Sequence, residues 1–363
     1  MFEIIFFAVL CSYLFLTVIF LIGTKREFPC LSDSELPSAT VIVAARNEEH
    51  NIIRCLKSLD ELEYPDDKLE IVLVNDKSTD KTGDIIQDYI KNKPRFKYLV
   101  SGKEIGCLKG KTNALANGLE IATGKVILTT DADCSVPSTW AKTITSYYTN
   151  GVAMVNGFTG QKFNTVFAGM QNLDFLYLQT AGSATINMNF PITCIGNNMS
   201  YLKQVYDEVG GYQNLTFSVT EDFNLLKAIK RLRKYKIIFP MNINSFVESL
   251  PCPDWKSLYR QKKRWIVGGL KGPLYGYAIL ISGWLTSLCF ALAPFFYTPV
   301  VGWFIFFKVL LDILLLQRIT SEFGISNSIK HFWAFQIYYV VYVLVLPFIV
   351  IPNRRVIWKD RTY

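Results

Sequence analysis

The stretch Lys125-Val126-Ile127-Leu128-Thr129-Thr130-Asp131-Ala132-Asp133 decides the fold. An apolar, β-branched run of this kind suits a buried strand. It stops at two carboxylates one residue apart, which repel each other unless a cation or hydrogen-bond donors compensate them. In an open α/β sheet, the C-terminal strand ends are where ligands bind. Hard cations such as Mg²⁺ or Mn²⁺ take oxygen ligands and often bind through one or two carboxylates plus substrate phosphates. Asp131 and Asp133 are therefore candidate ligands of a divalent metal.

Working outward, similar runs occur at 39–45 (ATVIVAA), 69–75 (LEIVLVN), 96–100 and 152–156. Amphipathic patterns near 48–60, 80–92, 110–121 and 138–149 separate them. This alternation predicts βαβ units, a mainly parallel sheet flanked by helices, and right-handed crossovers. Further on, the aromatic stretch 163–190 reads as a helix, either buried or lying at a membrane interface. Residues 222–233 read as a helix, 236–239 as a short strand, and 255–271 as another helix.

The flanks are of a different kind. Residues 4–23 form an uncharged apolar run of 20, enough to cross a bilayer. A cleaved signal peptide is the rival reading, weakened by the missing basic n-region and the absence of a small-x-small cleavage site. Lys25 and Arg26 follow, so the positive-inside tendency puts the next domain in the cytosol. Apolar segments recur at 274–295, 297–317 and 332–351. Lys308 and Asp312 lie four apart within the second, on one helical face, and read as a structural ion pair. Four spans would return both termini to the outside, which the basic tail Arg354–Tyr363 opposes; a re-entrant or interfacial segment among the four is the alternative.

The chain thus divides into an anchor at 1–24, a cytosolic α/β domain at 25–272, about three membrane or interfacial helices at 273–352, and a basic tail at 353–363. The expected location is a membrane, crossed several times (the inner or plasma membrane, if the source is bacterial). Composition agrees: half the residues are hydrophobic and 14% aromatic, high for a wholly soluble protein. The net charge of +8 suits an anionic bilayer surface or phosphate-rich substrates. No zinc-ligand spacing or other nucleic-acid module is readable, so nucleic acid is not expected as a partner. Eight cysteines without a Cys-x-x-Cys pair read as reduced thiols in a cytosol-facing protein.

Further motifs follow strand ends and helix starts. Ala44-Ala45-Arg46-Asn47-Glu48-Glu49 closes the first strand, where small residues let a nucleotide ring approach the backbone. A plain capping sequence explains Asn47 and Glu48 equally well. Asp76 in Asn75-Asp76-Lys77-Ser78 can accept from a nucleobase imide, while Asp80 looks like a helix N-cap. Gly110-Lys111-Thr112-Asn113-Ala114-Leu115 opens a helix, and it is not a P-loop. Gly196-Asn197-Asn198 and Gly210-Gly211-Tyr212 read as turns. Thr220-Glu221-Asp222 opens a helix with Thr220 as a plausible N-cap. In Gln261-Lys262-Lys263-Arg264-Trp265, residues 261, 264 and 265 share one face. That face can hold pyrophosphate through Arg264 and offer Trp265 as an apolar wall.

In this order the motifs resemble the family 2 glycosyltransferases, GT-A-fold enzymes that include cellulose, chitin and hyaluronan synthases and ceramide glucosyltransferase. The resemblance covers roughly residues 39–270. Asn75 and Lys77 depart from the family's Asp-Asp-Gly-Ser, so only Asp76 carries over from that segment. The ending Trp358-Lys359-Asp360-Arg361-Thr362-Tyr363 resembles one seen in lipid-linked members, except for Asp360. The resemblance implies a GT-A fold and inverting transfer from a nucleoside diphosphate sugar, most often a UDP-sugar, to a lipid or glycan acceptor. It implies Asp222 as catalytic base and Asp133 as metal ligand, with Asp131 nearer the donor. Ala44, Arg46, Glu48, Asp76, Lys111, Gln261, Arg264 and Trp265 would face the donor, and Asn197, Glu221 and Trp265 the acceptor. Two alternatives stay open: a processive polysaccharide synthase, and a catalytically silent nucleotide-sugar-binding membrane protein.

Overall fold

The computed structural model describes residues 1–216, 218, 220–270, 272–350, 355–358 and 361–362. The chain opens with α1 (Phe2–Thr24), β1 (Ala39–Ala45), α2 (Ile52–Asp60), β2 (Leu69–Asn75), α3 (Thr82–Ile90) and β3 (Phe96–Val100). Next come α4 (Gly110–Ile121), β4 (Val126–Asp131), α5 (Trp140–Ser146), β5 (Val152–Asn156), β6 (Thr159–Gln161) and α6 (Val166–Asn187). They are followed by β7 (Met199–Leu202), α7 (Lys203–Glu208), α8 (Glu221–Arg231), β8 (Lys236–Ile238) and β9 (Val247–Ser249). The last helices are α9 (Trp255–Gly269), α10 (Leu274–Leu292), α11 (Pro299–Glu322) and α12 (Phe332–Val350).

Where the sequence reading divides the chain into contiguous segments, contacts group it into two interleaved units. One comprises Glu27–Gly160 and Cys194–Leu250; the other comprises Met1–Arg26, Gln161–Thr193 and Pro251–Tyr363.

The first unit is built on a seven-stranded sheet of order β3-β2-β1-β4-β7-β5-β8. Strands β3, β2, β1 and β4 run parallel, as the helix-separated apolar runs require. The β-branched sequences of β1, β2 and β4 are buried on both faces, the pattern of a parallel sheet covered by helices, while the edge strand β3 is only partly buried. Below one face, Leu56, Leu59 and Trp140 pack with Val41, Val43, Ile71 and Leu128. Each such side chain contributes about 1.5–3 kcal/mol on burial. Strand β7 lies antiparallel between β4 and β5 and was not expected. Its four residues follow the Gly196 turn directly, too short for an alternating pattern to register. The helices after β1 and β2 also begin later than their composition suggests.

The second unit gathers α1, α6 and α9 to α12. Among the described residues, four helical segments are long and apolar enough to cross a membrane: Phe2–Thr24, Leu274–Phe296, Pro299–Glu322 and Ser326–Ile349. Between the interfacial and buried readings of 163–190 the structure favours burial: α6 is enclosed along most of its length, polar residues Asn172, Asp174, Gln179 and Ser183 included. The helices α1 and α6 approach closely at Gly23, where a Cβ would lie 2.6 Å from the Ala184 backbone. Lys308 and Asp312 form the expected ion pair at 2.7 Å, 1% and 3% exposed. Gln336 bridges them, accepting from Lys308 at 2.6 Å and donating to Asp312. Tyr13 donates to Asp312 and meets the Tyr177 hydroxyl at 2.7 Å. Four helices therefore share one buried polar network, which satisfies every charge it contains. Of the basic tail at 353–363, residues 353, 354, 359, 360 and 363 lie outside the described residues.

Candidate active site

Strand register brings three of the sequence motifs to one sheet edge. Ala44 on β1 pairs with Asp131 on β4, and Ala45 with Asn75 on β2. Arg46, Asp76 and the Asp131–Asp133 turn consequently all leave the sheet at its C-terminal side.

The turns after β1 and β2 are laced together. Asn47 takes a left-handed backbone (φ 51°), accepts from the Thr79 amide at 2.9 Å and donates its own amide to Ser78 Oγ at 3.1 Å. Arg46 Nη1 donates to the carbonyls of Asp76 and Lys77 at 2.9 and 3.2 Å. The Glu48 amide donates to Thr82 Oγ1 at 2.8 Å. Asp80 accepts from the amides of Glu49 and Thr82 and from the Thr82 hydroxyl. Burial alone would raise the Asp80 pKa, but these donors prevail and hold its carboxyl below the usual range. The capping expectations are thereby corrected. Helix α2 starts at Ile52 and α3 at Thr82: the Asn47 side chain serves the facing turn, while Asp80 serves both the facing turn and the first amide of α3.

After β4, the turn is held from outside. Arg54 on α2 donates to the Asp133 carbonyl and pairs with Glu248 at 2.8 Å. Ser135 and Glu248 exchange backbone hydrogen bonds of 2.8 and 2.9 Å. The repulsion foreseen for Asp131 is met by a cation: Lys111 Nζ, at the start of α4, lies 2.5 Å from Asp131 and 3.4 Å from Glu221. Burial would depress the Lys111 pKa, yet Asp131 and Glu221, with Asp222 behind them, raise it above the normal lysine value. Lys111 is thus a fixed positive charge among carboxylates.

Asp222 is positioned by a glycine. A Cβ at Gly196 would stand 3.2 Å from Asp222 Oδ2, so the turn before β7 lies close against this carboxylate and a side chain there would crowd it. That turn is tied to β4 by Thr129 Oγ1, which donates to the carbonyls of Gly196 and Met199 at 2.9 and 3.2 Å. Asp222 Oδ1 accepts from the Phe223 amide at 2.7 Å. Thr220 stands at the N-cap position, but its hydroxyl meets Ser218 Oγ at 3.1 Å and makes no capping bond; this corrects the expected cap. Asn197 accepts from Thr159 Oγ1 at 2.9 Å. Its neighbour Asn198 is more deeply engaged, accepting from Trp140 Nε1 at 2.9 Å and donating to Phe158 and Ser245.

The structure therefore brings Lys111, Asp131, Glu221 and Asp222 together, and separately joins Arg46 to the Asp76 turn. Sequence reasoning missed Arg54, and it quoted Thr129 and Asn198 within motifs without finding their tethering roles. A polar Thr129 inside an apolar strand was the one available signal. In the helical unit, Gln261, Arg264 and Trp265 lie on α9, all partly buried, and Trp265 stacks on Phe175 at 5.4 Å.

Comparison with known proteins fits this geometry. A family model described as glycosyl transferase family 2 matches residues 40–210, and one described as glycosyl transferase family group 2 matches residues 126–351. A probable glycosyltransferase, YdaM, of Bacillus subtilis is 30% identical over 285 residues, 75% of this chain and 64% of that protein. A beta-monoglucosyldiacylglycerol synthase of Synechocystis is 28% identical over 258 residues, 68% of this chain and 52% of that protein. The chain thus spans between about half and two-thirds of these relatives' lengths. Among solved structures, a mannosyltransferase from Pyrobaculum calidifontis, in complex with GDP-Man and Mn²⁺, superposes with a TM-score of 0.62 at 18% identity. The match covers 95% of this chain and 99% of that one, and it shows the same GT-A fold. The chain belongs to the family 2 glycosyltransferases.

Proposed function

We propose that this protein transfers a sugar, with inversion, from a UDP-sugar to a lipid hydroxyl at a membrane. The observation that carries the proposal is the meeting of Asp131, Glu221 and Asp222 around the Lys111 ammonium at the sheet edge. Family membership and similarity to a beta-monoglucosyldiacylglycerol synthase support a glycolipid product. The four apolar helices support an acceptor drawn from the bilayer.

In this reading Asp222 takes the proton of the acceptor hydroxyl as its oxygen attacks the anomeric carbon, and the bond from that carbon to the diphosphate breaks. The Phe223 amide holds the carboxylate for that task, with Gly196 leaving room beside it. Lys111 offsets charge near the departing diphosphate. Arg46 and Asp76 face the nucleoside, with Ala44 and Glu48 beside them. Arg264 and Gln261 serve the pyrophosphate, and Trp265 and Asn197 the acceptor. Asp131 and Asp133 fit a divalent cation of the Mg²⁺ or Mn²⁺ kind. When bound, such an ion supplies charge neutralisation of the leaving group. The sheet unit is assigned to the cytosolic side, on the strength of Lys25 and Arg26 after α1.

The test uses the full chain in detergent or vesicles, with UDP-glucose, UDP-galactose, UDP-N-acetylglucosamine and GDP-mannose as donors. Dioleoylglycerol or a membrane lipid extract is the acceptor, with Mn²⁺, Mg²⁺ or EDTA. Lipid-dependent nucleotide release, abolished by EDTA and by Asp222→Asn, is the expected result. Nucleotide binding without release under every condition would instead support a silent binding protein, and a lengthening glycan product a processive synthase.

A further inference from the structure

The Gln261–Trp265 run contains a residue that the proposed chemistry does not use. Lys262 has the composition of a solvated surface base, yet it is buried. Its ammonium pairs with Asp174 of α6, the two side chains being 6% and 5% exposed. The same ammonium stands over the Trp265 ring, 4.4 Å from its centroid, and over the Tyr342 ring of α12 at 5.3 Å. Phe175, next in chain to Asp174, stacks on Trp265 at 5.4 Å with 19° between planes. Two successive residues of α6 thus fix two partners on one face of α9: Asp174 holds the cation, and Phe175 holds the indole.

An apolar pair packed in the place of Lys262 and Asp174 would avoid the desolvation of two charges. What the charged pair adds is direction. An ammonium anchored by Asp174 and attracted to the face of the Trp265 ring opposes rotation of that ring. Lys262 and Trp265 lie three residues apart, so they share a helical face and cannot drift independently.

We propose that Lys262 and Asp174 are positioning residues that set the Trp265 indole, and with it the productive placement of the acceptor. The inference rests on the reading of Trp265 as an acceptor wall. It acts through Trp265 rather than on the reacting atoms.

The experiment measures acceptor KM, kcat and UDP affinity for Lys262→Met, Lys262→Arg, Asp174→Asn and the double variant Asp174→Leu/Lys262→Met. Trp265→Phe runs beside them. UDP-glucose and dioleoylglycerol are the probes, or the pair the functional test selects. Loss of the outer-shell partner of a metal ligand costs about 10–100-fold, and the low end of that scale is taken for a partner that orients a binding side chain. Lys262→Met and Asp174→Asn are therefore expected to raise acceptor KM about ten-fold, at unchanged UDP affinity, with Lys262→Arg restoring most of the loss. The near-UV circular dichroism difference between wild type and Trp265→Phe should shrink in the Lys262→Met background. If the single variants do not fold, the double variant decides, since its buried charge is removed as a pair. Wild-type acceptor KM and an undiminished dichroism difference in the folded variants would overturn the inference. Normal kinetics in Trp265→Phe itself would instead remove the acceptor-wall reading, leaving the ring-orienting contact to be judged by dichroism alone.

Discussion

The two units treat charge in opposite ways. At the sheet edge, Lys111 and Asp131 remain 27% and 36% exposed, and Lys111 is shared with Glu221. In the helical unit Lys308 and Asp312 are 1% and 3% exposed, and Lys262 and Asp174 are 6% and 5% exposed. A half-solvated pair is held weakly and can exchange partners when a ligand arrives. A buried pair cannot lose one member without leaving an uncompensated charge. The first arrangement suits chemistry and the second suits alignment of helices.

Several measurements would break or sharpen this contrast. The largest effect is expected from Asp222→Asn: turnover should fall about 10²–10⁴-fold while thermal stability barely moves, since general-base catalysis contributes on that scale. A melting temperature lowered in step with activity would instead make Asp222 a structural residue. Next, Asp312→Leu should destabilise the detergent-solubilised protein by about 3–5 kcal/mol, whereas Lys308→Met/Asp312→Leu should recover most of that loss. Equal melting temperatures for both variants would mean that the network does not couple its members.

Lys111→Met should lower kcat about 10²-fold, as loss of one preorganised positive donor does. The pH dependence has a definite sign. Because the folded-state pKa of Lys111 lies above 10.5, its contribution to stability is complete below that value and is lost only as the pH rises beyond it. A kinetic pKa near neutrality that vanished in Lys111→Met would contradict this. The smallest effect is expected from Gly196→Ala. The new methyl would press on Asp222 by a few tenths of an ångström, and a loss of roughly 3–10-fold in kcat at constant donor KM is expected, small beside the 10²-fold cost of a full ångström.

Thiol chemistry draws a similar contrast within the sheet unit. Burial first, and then nearby carboxylates, push the Cys55, Cys134 and Cys194 thiols up in pKa, while Cys30 and Cys107 are exposed. A membrane-impermeant maleimide should label Cys30 and Cys107 in the folded protein and leave those three intact. Performed on sealed vesicles of known orientation, the same labelling tests the cytosolic assignment.

Legibility in the sequence depended on whether interacting residues lie close together along the chain. Strands β1, β2, β4 and β5 were readable because burial on both faces writes a continuous apolar run. The acidic turns were readable because their residues sit within a few positions of a strand end. Strand β7 left no such mark, and the turns at Asn47 and Asp80 looked like helix starts because the same side chains serve both purposes. The pair Lys262 and Asp174 was not legible, its members lying 88 residues apart on two helices. Nor could spacing reveal that Thr129 reaches the Gly196 turn 67 residues later. Lys308 and Asp312 were found because helical periodicity places them together.

Strand β7 has a consequence for the order of synthesis. It fits between β4 and β5, both made earlier, but it follows α6 in the chain. A nascent chain that has just completed β5 therefore carries an open slot in its sheet until the whole of α6 has been made. Strand edges left waiting in this way invite mispairing. A fragment cut at residues 25 and 272, though it looks self-sufficient along the sequence, would retain α6 while losing α1 and α10 to α12. Such a fragment should fold slowly and aggregate, whereas the intact chain can shelter α6 as soon as its neighbours arrive.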